Sequence, residues 1–204
     1  MQVLFHQKMK ARFSMKFNEH YNLRDRHAFL SPSQPAWLHY DLEKLAKKRR
    51  SEQAIIEGTE LHELAEGLIR KRRKQLDDGD YFNMYVNDAI GFRMKPEVTL
   101  YYSDLCFGKA DTIKYDSRHK LLRIHDLKTG ATKPHHEQLE TYAALFCLEY
   151  DVKPSDIDFE LRIYQRNKPI DIWTPGTDII FPIMDTIVSD VKYLRELIEE
   201  EENW

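Results

Sequence analysis

Asp126 and Lys128 stand one residue apart in LLRIHDLK, a run whose apolar residues read as a β-strand. Side chains two apart on a strand share a face, so the carboxylate and the ammonium emerge together while Leu127 turns inward. The preceding run, FGKADTIKY, reads as a second strand and carries Asp111, with DSRH as the turn between them. If that turn pairs the strands antiparallel, Asp111 comes to stand beside Asp126. Two carboxylates that close repel, and one keeps its proton unless a cation lies between them. A divalent ion resolves the conflict, and oxygen-rich ligation suits Mg2+ or Mn2+, as one ion or two.

A nitrogen ligand could join from upstream. In GTELHELAEGLIRKRRK, Leu61, Leu64, Ala65, Leu68 and Ile69 fall at helical spacing and cover an arc of about 140°, with His62 at its margin. From that boundary an imidazole can face a cleft, and Mn2+ accepts such a ligand more readily than Mg2+. An ion held there lowers the pKa of a bound water and offsets charge on a phosphate oxygen, which together favour phosphodiester hydrolysis. Lys128 would orient that water or stabilise the developing charge. Gln138 and Tyr142, at i and i+4 of a following helix, share one face and could hold a scissile-side phosphate. A D-x-K triplet is common in isolation. The signal is the whole set.

The elements that must position these residues read as follows. In LSPSQPAWLHYDLEKLAKKRR, Ser31 or Ser33 can cap a helix whose apolar side is Trp37, Leu38, Leu42 and Leu45. Thr59 is a suitable N-cap for the helix carrying His62. Residues 77–90 read as a loop with a short helix at Asn83 to Ala89. PEVTLYYS is a strand from Pro96, a helix covers about Pro134 to Glu149, and IDFELRIY alternates as a half-buried strand. KPIDIWTPGTD is a connection, and the last helix bears Ile180, Met184, Ile187, Val191, Leu194 and Ile198 as one apolar stripe. One domain over 1–204 is expected, with 1–14 a poorly specified arm and 177–204 a C-terminal helix with an acidic tail.

Bulk properties set the class. The 204 residues are 42% hydrophobic and 12% aromatic, enough for a folded core and against wholesale disorder. No apolar run approaches the ~20 residues of a membrane helix, and the N-terminus lacks the form of a signal peptide. Cys106 and Cys147 make neither a disulfide framework nor a four-cysteine metal site, so a cytoplasmic setting is expected. Net charge is −3, yet Lys44, Lys47, Lys48, Arg49 and Arg50, then Arg70 to Lys74, concentrate positive charge in one third of the chain. Local rather than net charge governs phosphate contacts, so Arg70, Arg73 and Lys74 are candidate DNA contacts; solvated helix faces are the plain alternative.

With these residues assembled, the chain resembles the RecB-type PD-(D/E)XK nucleases, and more closely the phage and prophage exonucleases related to CRISPR-associated RecB-like nucleases. The matching stretches are LSPSQPAWLHY, GTELHELAE, PEVTLYYSDLCFGKADTI, LRIHDLKTG and HEQLETYAALFCLEY, spread over about residues 15 to 195. The resemblance implies an α/β fold of mixed α+β type, a central mixed sheet flanked by helices. It implies metal ligation by His62, Asp111, Asp126 and the backbone carbonyl of Leu127, with Lys128 as the motif lysine and Gln138 and Tyr142 on DNA. Asp111, Asp126 and Lys128 form the catalytic set. Glu97 stands where relatives often carry a Glu; contact with metal and contact with a structural partner are both open for it, the structural one favoured. Two cysteines cannot supply the iron–sulfur cluster of some relatives. With no G-x-x-x-x-G-K-[S/T] loop, no nucleotide is expected either.

The implied activity is a Mg2+- or Mn2+-dependent DNA exonuclease in phage recombination or DNA processing, inside the bacterial host. A phage single-strand annealing protein or recombinase is an implied partner, and a homo-oligomer is allowed by analogy. Two alternatives stand beside it. One is a catalytically silent DNA-end-binding or recombinase-interacting module. The other is a structure-specific endonuclease using the same site.

Overall fold

The computed structural model describes residues 28–130 and 135–202, so the arm expected at 1–14 lies outside the described residues. The chain divides into two compact units, Met1–Arg49 and Arg50–Trp204. In the first, a 3₁₀ turn over Pro35–His39 leads towards helix α1 (Leu42–Arg70). The expected serine cap is not used: Ser31 and Ser33 bond each other at 2.8 Å, and Asp41 Oδ1 accepts the Lys44 amide at 2.7 Å instead. Leu38 and Leu42 are exposed rather than packed.

The second unit is a layered α/β structure around an open five-stranded mixed sheet. Its elements are the rest of α1, α2 (Tyr81–Gly91), β1 (Lys95–Ser103), β2 (Cys106–Asp116), β3 (Leu121–Lys128), α3 (Glu137–Glu149), β4 (Asp158–Gln165), β5 (Asp171–Trp173) and α4 (Thr177–Glu202). The strands lie in the order β1-β2-β3-β4-β5. β2 pairs with β3 antiparallel across the four-residue turn, with the ladder running from Asp116↔Leu121 to Thr112↔His125. β3 and β4 run parallel, which needs a crossover, and α3 provides it.

Two cores flank the sheet. On one face Ala65 and Ile69 of α1 join Tyr81, Tyr85, Val86 and Ala89 of α2 against Leu127 and Tyr164. On the other, α3 and α4 pack Leu139, Ala143, Phe146, Ile180 and Ile187 against Leu122, Ile124 and Leu161. α3 is buried over most of its circumference, as its nearly continuous apolar sequence dictates. The stripe of α4 is buried only to Val191; Leu194 and Ile198 are exposed.

Four local expectations change. α1 is continuous through Gly58 and Thr59, so Thr59 is not an N-cap; its hydroxyl bonds back to the Ile55 carbonyl at 3.0 Å, the mid-helix alternative for a threonine. Leu64, assigned to the apolar arc, is 52% exposed. α2 begins two residues before the expected short helix because Asp80 accepts the Phe82 and Asn83 amides at 2.9 and 3.3 Å. KPIDIWTPGTD contains the strand β5, which pairs antiparallel with β4. α1 stops at a Schellman-type turn, with Arg72 left-handed (φ 52°) and the Arg73 amide on the Leu68 carbonyl at 2.9 Å. Among the described residues, no helix is long and apolar enough to cross a membrane.

Candidate metal centre

Where β2 and β3 part, two carboxylates and an imidazole come close, with the Asp126 charge felt beside them. The β2–β3 ladder runs up to Thr112↔His125, and beyond it the Leu127 amide donates to Asp111 Oδ2 at 2.9 Å. Asp111 thus replaces a ladder partner and is held by the backbone of the strand bearing Asp126. On its other side, the pairs Pro96↔Thr112 and Val98↔Ala110 set Glu97 opposite Asp111. Glu97 has a left-handed backbone (φ 53°), uncommon for a residue with a side chain and costing about 1–3 kcal/mol. Its carboxylate is ion-paired with Lys109.

The helix delivers the nitrogen. Ala65 and Ile69 anchor α1 in the core, and His62, one turn earlier, places Nδ1 3.4 Å from Asp111 Oδ2. One ligand atom each from His62, Glu97 and Asp111 lies within 4.8 Å of the others, a grouping that could hold a metal ion. Glu97 therefore stands among the candidate ligands. Its sequence, PEVT, gives no sign of the backbone turn that aims it.

Asp126 adjoins this group and is the most buried of the carboxylates, 4% exposed. Its Oδ1 accepts Lys128 Nζ at 3.1 Å, while its Oδ2 is buried without a hydrogen-bond partner among the described residues. Burial, reinforced by the charge of Asp111, raises the Asp126 pKa from the ordinary 3.8 to about 6; Lys128 and His62 oppose the shift. The His62 pKa is raised, first by its hydrogen bond to Asp111 and then by the charges of Asp111, Asp126 and Glu97, against a lowering by burial. The Asp126 shift is first an effect of burial, and the His62 shift expresses the negative charge gathered around the imidazole. A buried acceptor without a donor, acidic neighbours and one imidazole fit a divalent cation chemically.

Lys128 and Asp126 share a face, as their spacing requires, and Leu127 is buried between them at 1% exposure. Lys128 Nζ also donates to Gln138 Oε1 at 2.6 Å, and Gln138 Nε2 lies 3.4 Å from the Tyr142 hydroxyl. Asp126, Lys128, Gln138 and Tyr142 thus form one polar chain from β3 onto the exposed face of α3. Two glycines make room. A Cβ on Gly108 would meet Tyr142 Cε1 at 2.8 Å, and one on Gly58 would meet Thr129 Oγ1 at 2.9 Å. The basic run is apart from this group: Arg70, two turns beyond His62, is exposed and pairs with Glu66 at 2.7 Å, and Arg73 and Lys74 are exposed beyond the helix.

A separate cleft of about 480 Å³ opens at the far end of β3, lined by Leu121, Pro154, Phe159, Pro175 and Gly176 among others. The convergent ligand atoms are not in it. An open metal site needs only a few aimed donors, whereas cavity size follows apolar concavity. The chain matches no protein-family model and no curated sequence.

Proposed function

We propose that this protein is a divalent-metal-dependent deoxyribonuclease with a PD-(D/E)XK-type core, acting as an exonuclease in phage DNA recombination or processing. The observation that carries the reading is the convergence of His62, Glu97 and Asp111 beside Asp126, whose buried Oδ2 has no hydrogen-bond partner among the described residues and whose Oδ1 accepts Lys128. His62, Glu97, Asp111 and Asp126 would hold Mg2+ or Mn2+, with the Leu127 carbonyl as a further oxygen implied by the resemblance. The ion would supply Lewis-acid activation of the attacking water and neutralise phosphate charge.

The chain's own groups do the rest. Asp111, fixed by the Leu127 amide, holds its carboxylate in place without side-chain search. Lys128 brings a positive charge to the position next to Asp126, where it would orient the nucleophile and stabilise charge developing on the phosphate oxygens. Gln138 keeps the ammonium turned towards the site, and with Tyr142 presents donors to the phosphate beside the scissile bond.

End-labelled linear DNA incubated with Mn2+ tests this reading. Wild type should release labelled nucleotides, Asp126→Ala and Lys128→Ala should lose at least a hundredfold in rate, and Glu97→Gln should weaken Mn2+ binding measured by calorimetry. Equal rates in all proteins refute the assignment. DNA binding without metal-dependent cleavage would favour the silent end-binding module, and cleavage of closed circular DNA an endonuclease.

A further inference from the structure

Along β1 and β2 a row of outward side chains leads into the metal centre. Tyr101 is paired directly with Phe107, Thr99 with Lys109, and Glu97 stands opposite Asp111. The Lys109–Glu97 ion pair links the row to the candidate ligands. Its outer end is aromatic: the Tyr101 and Phe107 rings are stacked, with centroids 6.4 Å apart and planes inclined by 29°. They are 49% and 61% exposed, unusual for large apolar rings placed side by side. Four residues of strand, about 13 Å, separate this pair from Glu97 and Asp111, a span of a few nucleotides.

From this we infer that Tyr101 and Phe107 form a stacking platform for unpaired bases, feeding a single-stranded end past Lys109 to the metal centre. The inference rests on the nuclease reading and names the substrate form that it leaves open. Flat, exposed rings take up any base whose face is free, whereas duplex bases already spend both faces on their neighbours. Lys109, 60% exposed in its side chain, offers the row a cation for the connecting phosphates. β1 is the sheet edge, so the platform is open from the side. The Tyr101 amide is bonded by Glu149 Oε2 at 2.8 Å, which blunts the edge against addition of a protein strand.

The test is fluorescence anisotropy with labelled oligo(dT) and with a blunt duplex of equal length, at one low salt concentration and in EDTA so that no cleavage occurs. Tyr101→Ala and Phe107→Ala should each weaken oligo(dT) binding by about 5- to 150-fold, with much less effect on the duplex. Tyr101→Phe and Phe107→Tyr should restore binding, and Tyr193→Ala, an exposed aromatic on α4, should leave it intact. Unchanged oligo(dT) binding in the alanine variants, equal loss on both DNAs, or a change in sedimentation marking a self-association face would each overturn the proposal. Wild type that binds oligo(dT) through the pair yet never cleaves would remove the nuclease reading and leave the platform. Metal-dependent cleavage with oligo(dT) binding indifferent to both alanines would do the reverse.

Discussion

Asp126→Asn should make the metal-free protein more stable while abolishing its activity. The folded-state pKa of about 6 lies above the ordinary 3.8, so the folded chain holds this proton more tightly than the unfolded chain does. The stability tied to this group is therefore fully present below pH 3.8 and is lost as pH rises through 6. The separation of about two units, at 1.36 kcal/mol each, corresponds to about 3 kcal/mol of destabilisation at pH 8. Asn carries no charge to repel Asp111 and keeps an oxygen for Lys128. At about 2–4 °C per kcal/mol for a domain of this size, the variant should melt some 6–12 °C above wild type in EDTA at pH 8. By pH 5, where wild-type Asp126 is mostly protonated in the folded state, the gap should narrow to about half. The raised His62 pKa adds to the trend in wild type, since its contribution is present below 6.5 and lost above its folded value. Mn2+ should raise the melting temperature of wild type far more than that of the variant. Differential scanning calorimetry across pH reads all of this. A variant melting at or below wild type at pH 8, or a gap independent of pH, would refute the account of Asp126 as a charge held at a cost for an ion.

Two glycines of α1 separate propensity from packing. Gly67→Ala, with nothing within 4 Å of the new Cβ, should stabilise by about 0.5–1 kcal/mol in urea unfolding; Gly58→Ala, with Thr129 Oγ1 at 2.9 Å, should gain nothing or lose stability. Equal gains at both would mean that Thr129 does not constrain the helix. Gly108→Ala, whose Cβ would press on Tyr142, should cost about 1–3 kcal/mol and slow DNA cleavage by shifting Tyr142 and Gln138 together. A cleavage rate untouched by this substitution would detach the polar chain on α3 from the reaction.

Much of the framework was legible because its signals are local. Strands β1 to β4 and the helix α3 carry their periodicities in short runs of sequence, and the DSRH turn makes an antiparallel pair the simplest outcome. Asp126 and Lys128 share a face by strand geometry alone. What escaped was decided by competition between local signals and packing. Thr59 has the chemistry of a cap, yet α1 runs on through it because Ala65, Ile69 and the buried Gly58 are held by the sheet side of the unit. β5 is three residues between proline- and glycine-bearing turns, too short for any period to show, and exists because β4 offers it an edge.

For the site the division is sharper. By itself the sequence determined which functional groups are present and which share a strand or helix face, since those follow from backbone repeats of 2.0 and 3.6 residues. Only the tertiary structure decided which of those faces meet. The packing of α1 brought His62 within 3.4 Å of Asp111, and the parting of β2 and β3 turned Asp111 onto the Leu127 amide. A left-handed residue aimed Glu97 into the group, and burial left Asp126 Oδ2 without a donor. Ligand sets and perturbed carboxylates are properties of distance and dielectric between elements remote in sequence, and no single stretch of chain encodes either.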